Sequence, residues 1–277
     1  MGIRLIASDL DGTLLTDKKE ISEMTRRTLE ETARRGICFV PATGRSFSAV
    51  PKEVLGLPNT EYVIISNGAA IYSLSQGKRI YECILDPKAV TSILSKEKPA
   101  GMVMEVFMDG VPYSGQDYVE NPKAYGATDY GAAYVKRTRR PVADISHFAM
   151  ENRHRLDSIT FVGGTPAFRE DFRHSLLTDV PGIYVTSSVS HLLEIGNENA
   201  GKGNTLLKLL ELLQISPEEA MAFGDADNDI SMLSAVKYGI AMGNGTETCK
   251  EAAYSVTDTN EKDGVAKAVL QYLANNS

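Results

Sequence analysis

The sequence predicts an α/β fold in which a doubly wound parallel sheet is interrupted by a second, smaller α+β domain. Three observations carry this expectation. Short apolar runs recur at 3–8, 37–40, 62–65, 220–223 and 238–242, each bounded by polar or turn-forming residues, which is how strands buried on both faces read. Helical stretches alternate with these runs, an order that favours parallel pairing. From about 85 to 190 the rhythm changes to strand-like segments around a polar, tyrosine-rich stretch, the texture of a separate insert with its ends in connections that few contacts need cross.

The first strand, 3–8, stops abruptly at Asp9-Leu10-Asp11-Gly12-Thr13. Ligands of open α/β sheets bind beyond the carboxyl ends of strands, so two acids fall where chemistry is expected. Residues two apart on an extended chain point to one side, so Asp9 and Asp11 address one small site. Gly12 then permits a sharp turn. Acids this close repel unless a proton or a hard divalent ion such as Mg²⁺ lies between them.

Ser22 opens a helix that runs through Arg35 and stops at Gly36. The second strand, 37–40, leads to Thr43-Gly44-Arg45, where a hydroxyl, a glycine and a cation precede another helical stretch, a pattern that suits a phosphate oxygen. The third strand, 62–65, closes on Ser66-Asn67-Gly68-Ala69, and the pairs 71–72 and 80–81 around Gln76-Gly77 read as a hairpin. In the insert, a helix is expected from Pro87 to Lys96, strands near 102–107, 156–162 and 183–187, and a helix from Pro166 to Leu177. The run 191–195 is expected to return the chain to the core sheet.

Leu206, Leu209, Leu210 and Leu213 then mark a helix over 203–213. Lys202 stands at its entrance, where a cation is unfavourable unless an anion shares the site. Strand 220–223 ends in Gly224-Asp225-Ala226-Asp227-Asn228-Asp229, the second acidic cluster, and Asp227 is expected to face solvent. Strand 238–242 ends in Gly243-Asn244-Gly245, and a helix over 265–273 closes the chain. The expected domains are a core of 1–84 and 191–277 and an insert of 85–190.

Composition narrows the function. With 277 residues, 43% hydrophobic and 23% charged, the chain is long enough to bury one large core or two modest ones. A formal net charge of −7 argues against a nucleic-acid platform, which carries a basic excess. The basic run 136–140 reads as a solvated face. The three cysteines, Cys38, Cys83 and Cys249, lack metal spacing and read as reduced thiols of a cytoplasmic protein. No stretch approaches the length of a membrane span, and no signal peptide is expected ahead of Asp9. Oligomeric state leaves no mark in the sequence.

Asp9 with Asp11, Thr43, Lys202, and Asp225 with Asn228 and Asp229 each follow a buried strand, and they are expected to gather along one sheet edge. The order Asp-x-Asp-Gly-Thr, Thr-Gly-Arg, Lys-Gly and Gly-Asp-x-x-Asn-Asp resembles the four motifs of the haloacid dehalogenase-like (HAD) phosphohydrolases, whose core is Rossmann-like. Ser66-Asn67-Gly68-Ala69, Met242-Gly243-Asn244-Gly245 and Asp263-Gly264-Val265-Ala266 support the resemblance. The insert resembles the type IIB cap of the Cof-like subfamily. One stretch departs: Asn197-Glu198-Asn199-Ala200-Gly201 stands where members often carry a proline and Gly-Val-Ser, which implies altered loop geometry before an intact Lys202-Gly203.

The resemblance implies a Mg²⁺-dependent phosphatase acting on a small phosphorylated metabolite, a sugar phosphate above all. It implies Asp9 as nucleophile, Asp11 as general acid and base, and Mg²⁺ held by Asp9, the backbone carbonyl of Asp11 and Asp225, with Asp229 ligating directly or through water. Thr43, Lys202, Asn228 and the N–H groups of Leu10 and Gly44 would bind the phosphoryl oxygens, with Arg45 and Asn67 as further contacts. The insert would act as a lid. Two alternatives remain: a phosphomutase of related fold, and a phosphate-binding regulator without turnover.

Overall fold

The computed structural model describes residues 2–98, 101–189 and 191–276. Ser190, the expected end of the insert, lies outside them, as do the terminal residues 1 and 277. The strands are β1 (Leu5–Ser8), β2 (Cys38–Pro41), β3 (Tyr62–Ile65), β4 (Ala70–Ser73), β5 (Lys78–Glu82), β6 (Met102–Met108), β7 (Val111–Gly115), β8 (Arg140–Val142), β9 (Leu156–Gly163), β10 (Ile183–Thr186), β11 (Leu192–Asn197), β12 (Ala220–Gly224), β13 (Tyr238–Ala241) and β14 (Ser255–Val256). The helices are α1 (Glu23–Arg34), α2 (Lys52–Leu55), α3 (Pro87–Ser95), α4 (Gln116–Glu120), α5 (Asp129–Thr138), α6 (Ile145–Glu151), α7 (Pro166–Asp179), α8 (Lys202–Leu213), α9 (Ile230–Ala235), α10 (Glu247–Ala252) and α11 (Gly264–Asn275). The chain divides into two compact units, one of residues 1–44, 50–82 and 201–277, the other of 45–49 and 83–200.

The first unit is built on a parallel five-stranded sheet in the order β14-β13-β12-β1-β2. β1 lies between β2 and β12, with Leu5 opposite both Cys38 and Ala220, and all four of its residues are buried. A single bridge between Ala42 and Ile64 links β2 to β3, and β3 then forms an antiparallel sheet with the hairpin β4-β5. Leu206, Leu209 and Leu210 of α8 join Leu5, Ala7, Val40, Ile64 and Ala222 in one apolar cluster, and each of its leucine, valine and isoleucine side chains contributes roughly 1.5–3 kcal/mol when buried. Because β1, β2 and β12 run parallel, the loops after them, which carry Asp9, Thr43 and Asp225, leave the sheet at the same edge.

The second unit is a six-stranded sheet in the order β10-β11-β9-β6-β7-β8, antiparallel except for the β7–β8 pair. Every residue of β6 is buried because both faces of the sheet are covered. Met102, Met104, Val106 and Met108 pack with residues of α3, α6 and α7. Val103, on the opposite face, packs with Tyr118 of α4 and Val135 of α5. The period-two alternation of the strand serves two cores at once.

Here the structure corrects two sequence expectations. The run 191–195 does not return to the parallel sheet: β11 pairs antiparallel with β9 and β10, and the chain re-enters the first unit at Gly201. An apolar run shows that a strand is buried but not which sheet buries it. Residues 45–49, read as core, also group with the second unit, where Ser48 N–H donates to Gly110 O at 2.9 Å. The tyrosine-rich stretch contains the short helices α4 and α5, and α6 follows it. No helix among the described residues is long and apolar enough to cross a membrane.

Candidate active site

Lys202 is the hinge of the site. It is the first residue of α8 and wholly buried, and its Nζ donates to Asp9 Oδ1 at 2.7 Å and to Asp229 Oδ1 at 2.6 Å. Burial alone would lower its pKa, but Asp229 and Asp9 outweigh that and hold the ammonium above its ordinary range. The start of α8 is placed by backbone packing. Gly68, at φ +96°, lies so close to Gly201 that a Cβ would sit 2.4 Å from the Gly201 carbonyl oxygen, and Thr205 Oγ1 donates to Gly68 O at 2.7 Å. The Ser66-Asn67-Gly68 turn thus serves as the seat of the lysine.

Asp229 Oδ2 accepts from the N–H groups of Asp225 (2.9 Å) and Ala226 (3.1 Å), closing the second acidic loop on itself. Asp225 Oδ1 accepts from Thr13 Oγ1 at 2.6 Å, so the loop after β1 touches the loop after β12. Carboxylate oxygens of Asp9, Asp225 and Asp229 lie within 4.8 Å of one another. Burial, opposed by Lys202 and reinforced by the neighbouring acids, holds the Asp9 carboxyl well above its ordinary pKa. Burial, then Asp229, raises Asp225 to about 6. Asp11 is half-buried, and Lys19 Nζ lies 2.9 Å from its Oδ1.

Thr43 is buried, its N–H donating to Ile64 O and its carbonyl accepting from Asn67 N–H. Asn67 sits at φ +53°, and its Oδ1 accepts from Asn228 Nδ2 at 2.9 Å. Asn228 Oδ1 is a buried acceptor without a protein partner. Leu10 is fully buried, and its carbonyl accepts from Leu15 N–H at 2.8 Å. The structure therefore connects Asp9, Asp225, Asp229 and Lys202 directly, and Thr43 to Asn228 through Asn67. Arg45 belongs to the second unit, where its guanidinium donates to Ala49 O and lies 5.4 Å from the Tyr134 ring centroid. Asp227 is exposed, as expected, and accepts from Thr246 and Thr248 hydroxyls at 3.1 and 2.7 Å.

The family described as haloacid dehalogenase-like hydrolase matches residues 6–269. The chain belongs to the haloacid dehalogenase-like hydrolases. The hydrolase is 33% identical to a Bacillus subtilis phosphatase, YwpJ, over 98% of this chain and all of that one. It is 27% identical to a second B. subtilis protein, the 5-amino-6-(5-phospho-D-ribitylamino)uracil phosphatase YcsE, over 98% of this chain and 96% of that one. A haloacid dehalogenase-like hydrolase from Bacteroides thetaiotaomicron superposes with a TM-score of 0.80 at 27% identity, covering 97% of this chain and 99% of that one. The fold is that of the Cof-type, subclass IIB members. The protein is a phosphoric monoester hydrolase of this family.

The hydrolase's acidic cluster has the donor set of a hard-cation site. Three carboxylates cluster, two of them against a buried ammonium, leaving an excess of negative charge that a divalent cation would balance, and all the donors are oxygens, which suit Mg²⁺. Side chains outside the four motifs also brace it. Asn244, in the Met242-Gly243-Asn244-Gly245 stretch that supports the resemblance, and Asn260, for which the motifs offer no clue, hydrogen-bond to the loop after β1.

Proposed function

We propose that the protein is a Mg²⁺-dependent phosphatase that hydrolyses a small phosphorylated metabolite, a sugar phosphate, through an aspartyl-phosphate on Asp9. The observation that carries this reading is the wholly buried Lys202 held between Asp9 and Asp229, with Asp225 closing the acidic cluster. Asp9, Asp225 and the backbone carbonyl of Asp11 would hold Mg²⁺. Both oxygens of Asp229 already accept hydrogen bonds, which favours its acting through water. When bound, the ion offsets the repulsion between an anionic nucleophile and an anionic phosphate.

Lys202 orients the Asp9 carboxylate, whose free oxygen attacks phosphorus while the bond from phosphorus to the ester oxygen breaks. The Asp11 carboxyl gives its proton to the departing alkoxide. Water then attacks the aspartyl-phosphate, its proton passing to Asp11, and the bond from phosphorus to the Asp9 oxygen breaks to release phosphate. Thr43, Lys202, Asn228 and the N–H groups of Leu10 and Gly44 stabilise charge on the phosphoryl oxygens, with Asn67 as a further contact of the same kind.

Sugar phosphates are favoured because the 27%-identical B. subtilis relative is a phosphatase of a phosphoribityl compound. In the same reading the first unit is the hydrolase core and the inserted unit the Cof-type cap. The free cysteines fit a cytoplasmic location. The test is a phosphate-release screen over phosphorylated metabolites with Mg²⁺ or with chelator, using Asp9→Asn as control. Mg²⁺-dependent release that vanishes in Asp9→Asn is expected. Turnover by Asp9→Asn, or release indifferent to chelation, would overturn the mechanism.

A further inference from the structure

We propose that Asn244, backed by Asn260, is a positioning residue for the acidic cluster, acting through the Gly12–Thr13 peptide on the orientation of Asp225. The inference rests on the metal-site reading above. Asn244 Nδ2 donates to Gly12 O at 2.8 Å. That carbonyl belongs to the peptide whose N–H is that of Thr13, and the Thr13 hydroxyl donates to Asp225 Oδ1 at 2.6 Å. Fixing the peptide plane therefore fixes the origin of the side chain that holds the carboxylate.

The other end of Asn244 is itself held. Its Oδ1 accepts from Asn260 N–H at 3.0 Å, which sets which way the amide faces and leaves Nδ2 directed at Gly12. Asn260 is buried, and its own Nδ2 donates to Leu15 O and to Asp17 Oδ1, both at 3.1 Å. Two amides from the far end of the chain thus grip the loop after β1 at Gly12, Leu15 and Asp17.

The same turn reaches the second acidic loop. Thr246 N–H donates to Asp225 O at 2.8 Å, and a Cβ on Gly245 would lie 3.0 Å from that oxygen. The turn 243–246 therefore spans both acid-bearing loops and sets their separation. Gly12 leaves no slack: at φ +85°, a Cβ there would meet Asp225 Oδ2 at 2.5 Å. A small rotation of its peptide moves either Thr13 off Asp225 or the chain into it.

Asn244 is exposed, so its loss should leave the fold standing, and the effect should appear in cation binding. The test is direct Mn²⁺ binding, followed by electron paramagnetic resonance on the metal-free full chain, for wild type, Asn244→Ala, Thr13→Val and the double variant, with thermal melts alongside. Groups that orient a ligand typically govern about 10- to 100-fold in metal affinity. Asn244→Ala is expected to weaken Mn²⁺ binding by about tenfold or more with an unchanged melt. In the double variant, Asn244→Ala should add little to Thr13→Val, because the two act on one carboxylate. Wild-type affinity in Asn244→Ala, or additive losses in the double variant, would overturn the proposal. Failure of the wild type to bind Mn²⁺ would instead remove the metal site, and this inference with it.

Discussion

At the scale of single residues, the central fact is one fully buried ammonium shared by two buried carboxylates. A buried ion pair gains little over an apolar replacement, but removing one partner strands the other charge at about 3–5 kcal/mol. Lys202→Met is therefore expected to lower stability to urea and to cut phosphate release by 10²-fold or more, the scale of a lost electrostatic contact to the transition state. Loss of stability without loss of activity would separate Lys202 from the chemistry. A second residue-scale expectation concerns Cys249, which is fully buried and whose thiol burial pushes up to about 12. Since only the thiolate reacts, alkylation at pH 8 should spare Cys249 in the native protein and reach it after unfolding, as read by mass spectrometry. Cys38, pushed up to about 11 by burial, should also react slowly.

At the scale of elements, short helices and strands are secured where chain ends meet. Ser22 caps α1 by accepting from Thr25 N–H at 3.1 Å, and its hydroxyl donates to Asp263 at the start of α11, tying together residues 241 positions apart. Ser22→Ala should cost about 1 kcal/mol in a denaturant titration. In the second unit, Arg139 donates to both oxygens of Glu105 at 2.8 and 2.7 Å, and the Glu105 side chain is almost wholly buried. Glu105 holds the guanidinium above its ordinary pKa against the pull of burial. Arg139→Met alone should destabilise that unit by roughly 3–5 kcal/mol, and the double change with Glu105→Gln should recover most of it, because no charge is then stranded. The recovery would appear as a restored melting transition.

At the scale of the whole molecule, three carboxylates from residues up to 220 positions apart converge on one point, and the fold holds them there against their repulsion. Adding Mg²⁺ to chelator-treated protein should restore activity and raise the melting temperature, since a ligand that binds only the folded state stabilises it in proportion to occupancy. A melt unmoved by saturating Mg²⁺ would count against a cation at this cluster. The three free cysteines leave the chain without a disulfide, so packing and hydrogen bonding bear this load.

Much of this was written in the sequence by itself. The strands β1, β2, β12 and β13, the cap at Ser22, the β4–β5 hairpin and the leucine face of α8 follow from local pattern, because backbone geometry ties periodicity to burial within a few residues. The acids at strand ends follow from the same logic. Only the tertiary structure decided that β11 belongs to the second unit's sheet, that residues 45–49 group with that unit, and that Asn244 and Asn260 grip the loop after β1. Those outcomes depend on which partner a strand edge or an amide meets beyond its own element, and neither leaves a periodic trace in the chain. Local physics chose the elements, while long-range pairing and side-chain hydrogen bonding chose their neighbours.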